Sequence, residues 1–372
     1  MHIQAVQWGW TVRSPAKVNL ILDVLGKRPD GFHEIDTLMC PVSLTDDLEF
    51  RPLKESELRL ELVVADRRAA DSGGSDPAWD IPVDGRNLIL KALLRVRDEL
   101  GATGGCHVRL IKRVPAAAGL GGGSSNAAAA IAAGLLMWGS WNRELAWRIG
   151  AALGSDVPLF FGDERGGIGL ARATGRGEHV TCYTGRTPLH LVITHPAVGS
   201  STAEVYRAWK PAEINCSIES DMQSKKVTQA SETDRVTDAD SRQDAAHKHE
   251  QQRSAQLYAK QRSGRIERML QACDEGNVDT IRSLMSNDLE EPAGRLNTWI
   301  ATQRSMMTNL GLKKAMMTGS GSACYALVDS AEQAENAAAR LIELGLPRAH
   351  AAEAWYAPPI EAQLSQQPRP NP

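Results

Sequence analysis

The stretch VPAAAGLGGGSSNAAAA, Val114 to Ala130, constrains this chain more than any other segment. It follows HVRLIK (His107–Lys112), whose alternation predicts a strand, and runs into an alanine-rich segment that predicts a helix from about Ser125 to Trp138. A flexible linker would not lead directly into so strong a helix former. Glycines between a strand and a helix let the backbone approach a bound group closely and take positive φ. The helix start adds unpaired N–H groups and the positive end of its dipole. Together these features read as an anion cradle suited to phosphate, with Ser124 and Ser125 able to bind it or to hold a magnesium ion. The alternative for these residues alone is a tight turn of small, closely packed residues. Two familiar phosphate loops do not fit. The Walker pattern needs a lysine where this chain has Ser124-Ser125-Asn126, and GLGGGSSN does not form a convincing dinucleotide fingerprint.

The surrounding pattern mixes strands and helices. Val18–Leu25 (VNLILDVL) predicts a buried strand, with turn residues Pro29, Asp30 and Gly31 beyond it. Two strand-like patches lie within Leu48–Val64, and Asp66–Gly85 reads as a polar loop. Helical spacing predicts helices at Asn87–Leu100 and Asn142–Leu153, each stopped by a glycine. Pro188–Thr194 predicts the first strand of a second unit, so the expected domains are 1–187 and 188–358, with a tail at 359–372 that frays from Ser365. Helices are expected at Ile266–Ala272, Val278–Met285 and Ala331–Leu344, and a glycine turn leading to a strand in TGSGSACYALV. Between Ile218 and Leu257 there is no Leu, Ile, Phe, Trp or Tyr, so about 213–262 cannot bury enough apolar surface to offset its ordering entropy. It reads as a polar insertion, disordered or a solvated helix.

Composition excludes several classes. The formal net charge of −3 over 372 residues gives no electrostatic case for nucleic acid. No apolar window is long enough for a membrane span, and the start, MHIQAVQWGW, has no signal-peptide pattern. The six cysteines are scattered without a CxxC pair, which favours reduced thiols and a cytoplasmic protein over a disulfide framework or a zinc site.

PAAAGLGGGSSNAAAA closely resembles the ATP-binding motif of the GHMP kinase superfamily. Three further stretches, in the right order, resemble its other signatures: SPAKVNLILDVLGKRPDGFHEIDTLM (Ser14–Met39), LGSDVPLFF (Leu153–Phe161, with GLARATGRGE after it) and TGSGSACYAL (Thr318–Leu327). The first of these is typical of the branch whose alcohol is a cytidine diphosphate-linked methylerythritol, in non-mevalonate isoprenoid synthesis. The resemblance spans about 12–210 and 264–357 and omits the polar insertion. It implies an α+β, two-domain GHMP kinase fold. The N-terminal domain would be of the ribosomal protein S5 domain 2-like type and the C-terminal one ferredoxin-like, with the site in the cleft between them. It also implies ATP and Mg²⁺ as cofactors, a small-molecule substrate, and a monomer or homodimer.

The roles implied for this chain follow its motif positions. Asp156, read alone as a turn or capping residue, would be the general base for the 2-hydroxyl, and Lys17 would stabilise charge during transfer. Asn19, two residues from Lys17 and so on the same strand face, would contact substrate. In DGFH, where the branch commonly has DGYH, His33 would hydrogen-bond the cytosine and Phe32 would stack through its ring alone. Tyr206 would close the other face of the base, helix packing being its alternative, and Thr202 would touch substrate. Asn87 and Lys112 would line the adenine pocket, Lys112 through its backbone. Pro115, Ala116, Ala117, Ala118, Gly119, Leu120, Gly121, Gly122, Gly123, Ser124 and Ser125 would wrap the ATP phosphates, and Ser124 or Ser125 would meet the metal. Gly319, Ser320 and Gly321 would support that loop or the substrate phosphates. Other GHMP substrates (homoserine, mevalonate or a sugar) carry no base to stack, which disfavours them. Retention of both Lys17 and Asp156 disfavours a non-catalytic nucleotide-binding descendant.

Overall fold

Two long strands dominate the architecture: β2 (Gly9–Lys27) and β3 (His33–Leu53) form an antiparallel hairpin from Trp10 opposite Phe50 to Lys27 opposite His33. The computed structural model describes residues 1–65, 79–163, 167–183, 187–211, 262 and 264–367. Pro15, which has no N–H to give a ladder, sits at the first of three register shifts in the hairpin; the others follow Asn19 and Val24. These bulges divide the hairpin between two neighbourhoods. Its first half pairs with β1 (His2–Val6) on one side and β5 (Gly105–Lys112), then β4 (Leu58–Val64), on the other. Its second half pairs with β6 (Ala171–Gly175), which forms a hairpin with β7 (His179–Cys182).

The helices α1 (Leu88–Leu100), α2 (Gly122–Trp138) and α3 (Arg143–Leu153) cover this sheet. Ala127 through Ala133 are all fully buried, so α2 is apolar nearly all round and lies inside the fold between α1 and the sheet. Gly134 is part of that close approach: a Cβ there would meet Val96 at 3.2 Å and Leu93 at 3.3 Å.

The second sheet holds β8 (His190–His195), β10 (Met316–Met317), β11 (Cys324–Val328) and β12 (Arg348–Glu353) in the order β10-β11-β8-β12, all antiparallel. Taken in chain order this is the ferredoxin-like arrangement. Between β8 and β10 come α4 (Thr202–Ala208), α5 (Arg265–Asp274), α6 (Val278–Leu284), the short β9 (Ser286–Asn287), α7 (Glu290–Leu296) and α8 (Trp299–Asn309). The helix α9 (Ala331–Glu343) packs on β12 and β8. Alternation along β8 splits two cores: Val192 packs with the helices, while Leu191 and Ile193 pack with Val18, Leu20 and Val42 of the first sheet. The two sheets therefore share an apolar seam, and the fold is the expected α+β type. Among the described residues no helix is long and apolar enough to cross a membrane.

Two expectations change. The tail, expected at 359–372 and fraying from Ser365, begins with a further helix, α10 (Ile360–Ser365), with Ile360 buried. Gln363 accepts from Ile3 N at 2.8 Å and donates to Met1 O, while Gln367 accepts from Ala5 N at 2.7 Å and donates to Ile3 O. Two glutamine amides thus cover the outer edge of β1, a device with no hydrophobic signature. The polar DGFH turn does not end a short strand but closes a hairpin whose arms have 19 and 21 residues. The elements β1, β6, β7, α4, β9, α7, α8 and β12 also went unpredicted. The expected insertion lies outside the described residues apart from Arg262, as do 368–372.

His195, at the end of β8, is 1% exposed, and neither ring nitrogen has a hydrogen-bond partner among the described residues. Burial, with a smaller push from His350, lowers its pKa from 6.5 to about 3. A depressed histidine pKa favours the neutral form in the fold. Its contribution is therefore complete above the unfolded value of 6.5 and is lost as pH falls from there towards 3. Between pH 7 and pH 4.5 the wild type is expected to lose about 2–3 kcal/mol through this group. His195→Leu should remove that increment in urea titrations at the two pH values; equal losses in both proteins would assign the pH dependence elsewhere.

Candidate active site

The seam opens on one side into a cavity of about 1060 Å³ that runs from the glycine-rich loop to the DGFH turn. Lys17 lines it beside the glycine-rich loop and is 5% exposed at the side chain. Its Nζ donates to Asn19 Oδ1 at 2.6 Å and stands 3.7 Å from Asp156 Oδ2. Strand alternation puts Lys17 and Asn19 on one face, as expected. Asn19 is fixed from every side. Its Nδ2 donates to Thr37 Oγ1 at 2.8 Å, its N–H to Thr318 Oγ1 at 3.0 Å, and its C=O accepts from Tyr325 OH at 2.7 Å. Asp156 lies in the turn between α3 and the short helical turn Pro158–Phe161, and its side chain is 35% exposed. Burial pushes the Lys17 ammonium below the ordinary lysine range, and the Asp156 carboxylate partly opposes that shift. The result is a half-open carboxylate facing a desolvated cation.

The loop wraps over this pair. Lys17 N donates to Leu120 O at 2.9 Å, and Ala323 N to Ala118 O at 3.0 Å, so the loop is tied to both sheets. Gly119 has φ of 75°, and a Cβ there would fall 2.3 Å from Thr318 O. Only glycine permits that crossing. Gly121, also left-handed, caps α2 without a side-chain bond, leaving the first N–H groups of the helix without side-chain partners. Pro115, Ala116, Ala117, Ala118, Gly119, Leu120, Gly121, Gly122, Gly123 and Ser124 all line the cavity. Ser125 does not. It is fully buried, and its hydroxyl accepts from Ser14 Oγ at 2.5 Å, because one step along the helix turns it towards β2. Of the two serines expected at a metal, only Ser124 faces the cavity.

Asn87 and Lys112 line the same end, but both side chains are engaged in the fold. Asn87 caps α1 by accepting from Ile89 N at 2.9 Å. Lys112 Nζ donates to Asp46 Oδ2 at 2.6 Å and to Val114 O. Asp46, fully buried, also accepts from Arg113 N at 2.7 Å, Val114 N at 2.8 Å and Asn126 Nδ2 at 2.9 Å. It joins both ends of the glycine-rich loop, a role the sequence reading missed. Asp46 precedes the strand patches predicted within Leu48–Val64, and nothing in the sequence marked it.

Gly319 and Ser320 line the cavity, and Ser320 Oγ lies 2.8 Å from Thr202 Oγ1, linking this loop to α4. Gly321 lies behind them, its N–H bonded to Thr318 O, and does not reach the cavity. At the far end, His33 meets Tyr206 with ring centroids 5.1 Å apart and Trp209 edge-on at 5.6 Å. Phe32 is 54% exposed, with the Arg176 guanidinium 4.9 Å from its ring. Thr37 and Arg176 also line the cavity, and Thr318 stands behind it; none was singled out from sequence.

Residues 87–163 match the GHMP kinases N terminal domain, and residues 269–345 match the GHMP kinases C terminal family. This chain belongs to the GHMP kinases. A relative from Rhodopirellula baltica, named 4-diphosphocytidyl-2-C-methyl-D-erythritol kinase, is 31% identical over 350 residues, covering 89% of this chain and 91% of its own. One of the same name from Pelotomaculum thermopropionicum is 34% identical over 331 residues, covering 89% and 93%. A crystal structure of 4-(cytidine 5'-diphospho)-2C-methyl-D-erythritol kinase aligns with a TM-score of 0.64 at 28% identity, over 93% of this chain and 99% of that one. Homoserine kinase from Cytophaga hutchinsonii, at 16% identity and a TM-score of 0.60 over 96% and 97%, shares the fold. Within the GHMP kinases, the chain belongs with the 4-diphosphocytidyl-2-C-methyl-D-erythritol kinases.

Proposed function

We propose that this protein transfers the γ-phosphoryl of ATP to the 2-hydroxyl of 4-diphosphocytidyl-2-C-methyl-D-erythritol, a step in isoprenoid precursor synthesis. The observation that carries this reading is that the Lys17–Asp156 pair, the glycine-rich loop and the His33–Tyr206 rings all line one cavity. A substrate with a reacting alcohol at one end and a pyrimidine at the other matches that lining. Asp156 takes the hydroxyl proton, and its partial exposure leaves room for the alcohol beside it. Lys17, held by Asn19, presents a desolvated ammonium to the charge that develops on the transferring group. The helix start at Gly122 and Gly123 and the Ser124 hydroxyl receive the phosphates of ATP, which supplies the phosphoryl group when bound.

Magnesium fits the same reading. Among the described residues no group of His, Cys, Asp or Glu could hold a metal by itself. Ser124, facing the cavity at the helix start, would help hold an ion brought by the nucleotide, which would neutralise phosphate charge. Free thiols at Cys40, Cys106, Cys182, Cys273 and Cys324 accord with a cytoplasmic setting.

The test is an ADP-release assay with Mg²⁺ over a panel of alcohols. The cytidyl compound should be turned over, and homoserine and mevalonate should not. Turnover of either amino-acid or mevalonate substrate without the cytidyl compound would replace this reading with that of another GHMP kinase.

A further inference from the structure

His33 begins β3 at the wall of the cavity, and no side-chain bond fixes its ring. Neither of its nitrogens hydrogen-bonds a described residue, so its orientation comes from packing alone. Two rings supply that packing. Tyr206 lies tilted by 36° at 5.1 Å, and Trp209 stands at 85° at 5.6 Å. An edge-on contact of this kind is a favoured aromatic geometry and restricts the imidazole about its Cβ–Cγ bond. Trp209 is itself anchored. It closes α4, its N–H reaches Val205 O at 3.1 Å, and its side chain packs against the helix-covered core of the second sheet. It does not line the cavity, so it has no direct contact to offer a substrate there.

We infer that Trp209 is a positioning residue for base recognition, acting through His33. A neutral imidazole can direct one of its two nitrogens at one position on the edge of cytosine, and that single bond is aligned only if the ring plane is held. Burial keeps His33 on the neutral side by lowering its proton affinity. Uracil differs from cytosine by exchanging donor for acceptor on that edge, so a ring free to rotate loses selectivity before it loses binding. This inference rests on the cytidyl reading of the cavity and adds the element that makes it selective.

The test compares wild type with Trp209→Leu and Trp209→Phe, using the cytidyl substrate, ATP, and cytidine and uridine as competitive inhibitors. Trp209→Leu should raise KM for the cytidyl substrate by about three- to tenfold, the cost of ordering one side chain, and narrow the cytidine preference over uridine by a similar factor. KM for ATP and saturated kcat should stay within about twofold, and Trp209→Phe should restore most of the selectivity, since a ring edge remains. A lowered melting temperature with unchanged cytidine preference overturns the inference and makes Trp209 a core residue only. So does an equal rise in KM for ATP. Wild-type protein that does not prefer cytidine to uridine overturns the cytidyl reading itself, and this inference with it.

Discussion

Asp156→Asn is expected to lower kcat by about 10²- to 10⁴-fold while KM for ATP stays close to that of the wild type. The amide keeps the shape of the carboxylate and can still accept a hydrogen bond, but it cannot take a proton. The nucleotide end of the cavity is built by the loop and α2, which Asp156 does not touch in any described hydrogen bond. Steady-state kinetics with calorimetric ATP binding separates the two effects; a kcat equal to that of wild type would remove Asp156 from the chemistry. The pH profile gives a second readout. In the proposed mechanism Lys17 acts as an ammonium, and burial lowers its pKa from the ordinary 10.5. Activity is therefore present below the depressed value and lost as pH rises through it. Asp156 is the neighbour that raises that pKa. Its neutralisation should move the alkaline limb of the residual activity to still lower pH.

The second large effect is on stability. Asp46→Ala removes the acceptor for four donors, among them the buried Lys112 ammonium 2.6 Å away. Breaking a buried pair from one side leaves an uncompensated charge, and the expected loss is about 3–5 kcal/mol in urea unfolding. KM for ATP should rise as well, because Asp46 holds residues on both sides of the glycine-rich loop. Adding Lys112→Met to an Asp46→Leu variant should recover much of the stability, since the charge then disappears with its partner. It should not recover KM for ATP, because Arg113 N, Val114 N and Asn126 still lack their common anchor. Recovery of both would show that the buried charge, rather than the anchoring, sets the loop.

These two variants also mark how legible the chain was. Asp156 and Lys17 stand in motifs, and the structure brings them onto one cavity. The helices α1 and α3 announced themselves through apolar spacing, an asparagine cap and a stopping glycine each, and α2 through its alanine run. Asp46 had no such signal. Its partners are 66 to 80 residues away in the chain, and nothing local distinguishes a buried anchor from the half-exposed Asp47 beside it. The serine pair shows a finer limit. Ser124 and Ser125 are chemically equivalent in sequence, and only the rotation of α2 decides which hydroxyl meets the cavity. The helix α8 failed for a different reason: TWIATQRSMMTN has no clear apolar stripe, because its buried Gln303 and Met307 meet Thr194 of the second sheet through polar atoms.

The anchoring of Asn19 has a consequence in time. Its N–H is held by a residue 299 positions later and its C=O by one 306 positions later. During synthesis at roughly 5–20 residues per second, Lys17 therefore waits on the order of tens of seconds for the groups that fix its neighbour. A nascent chain that has emerged only as far as the glycine-rich loop already has the cradle and the lysine, but not Thr318 or Tyr325. Under the proposed mechanism, the fixed Asn19 that orients Lys17 is complete only once the carboxy-terminal sheet has closed over β2, so a chain truncated before Thr318 is expected to be inactive.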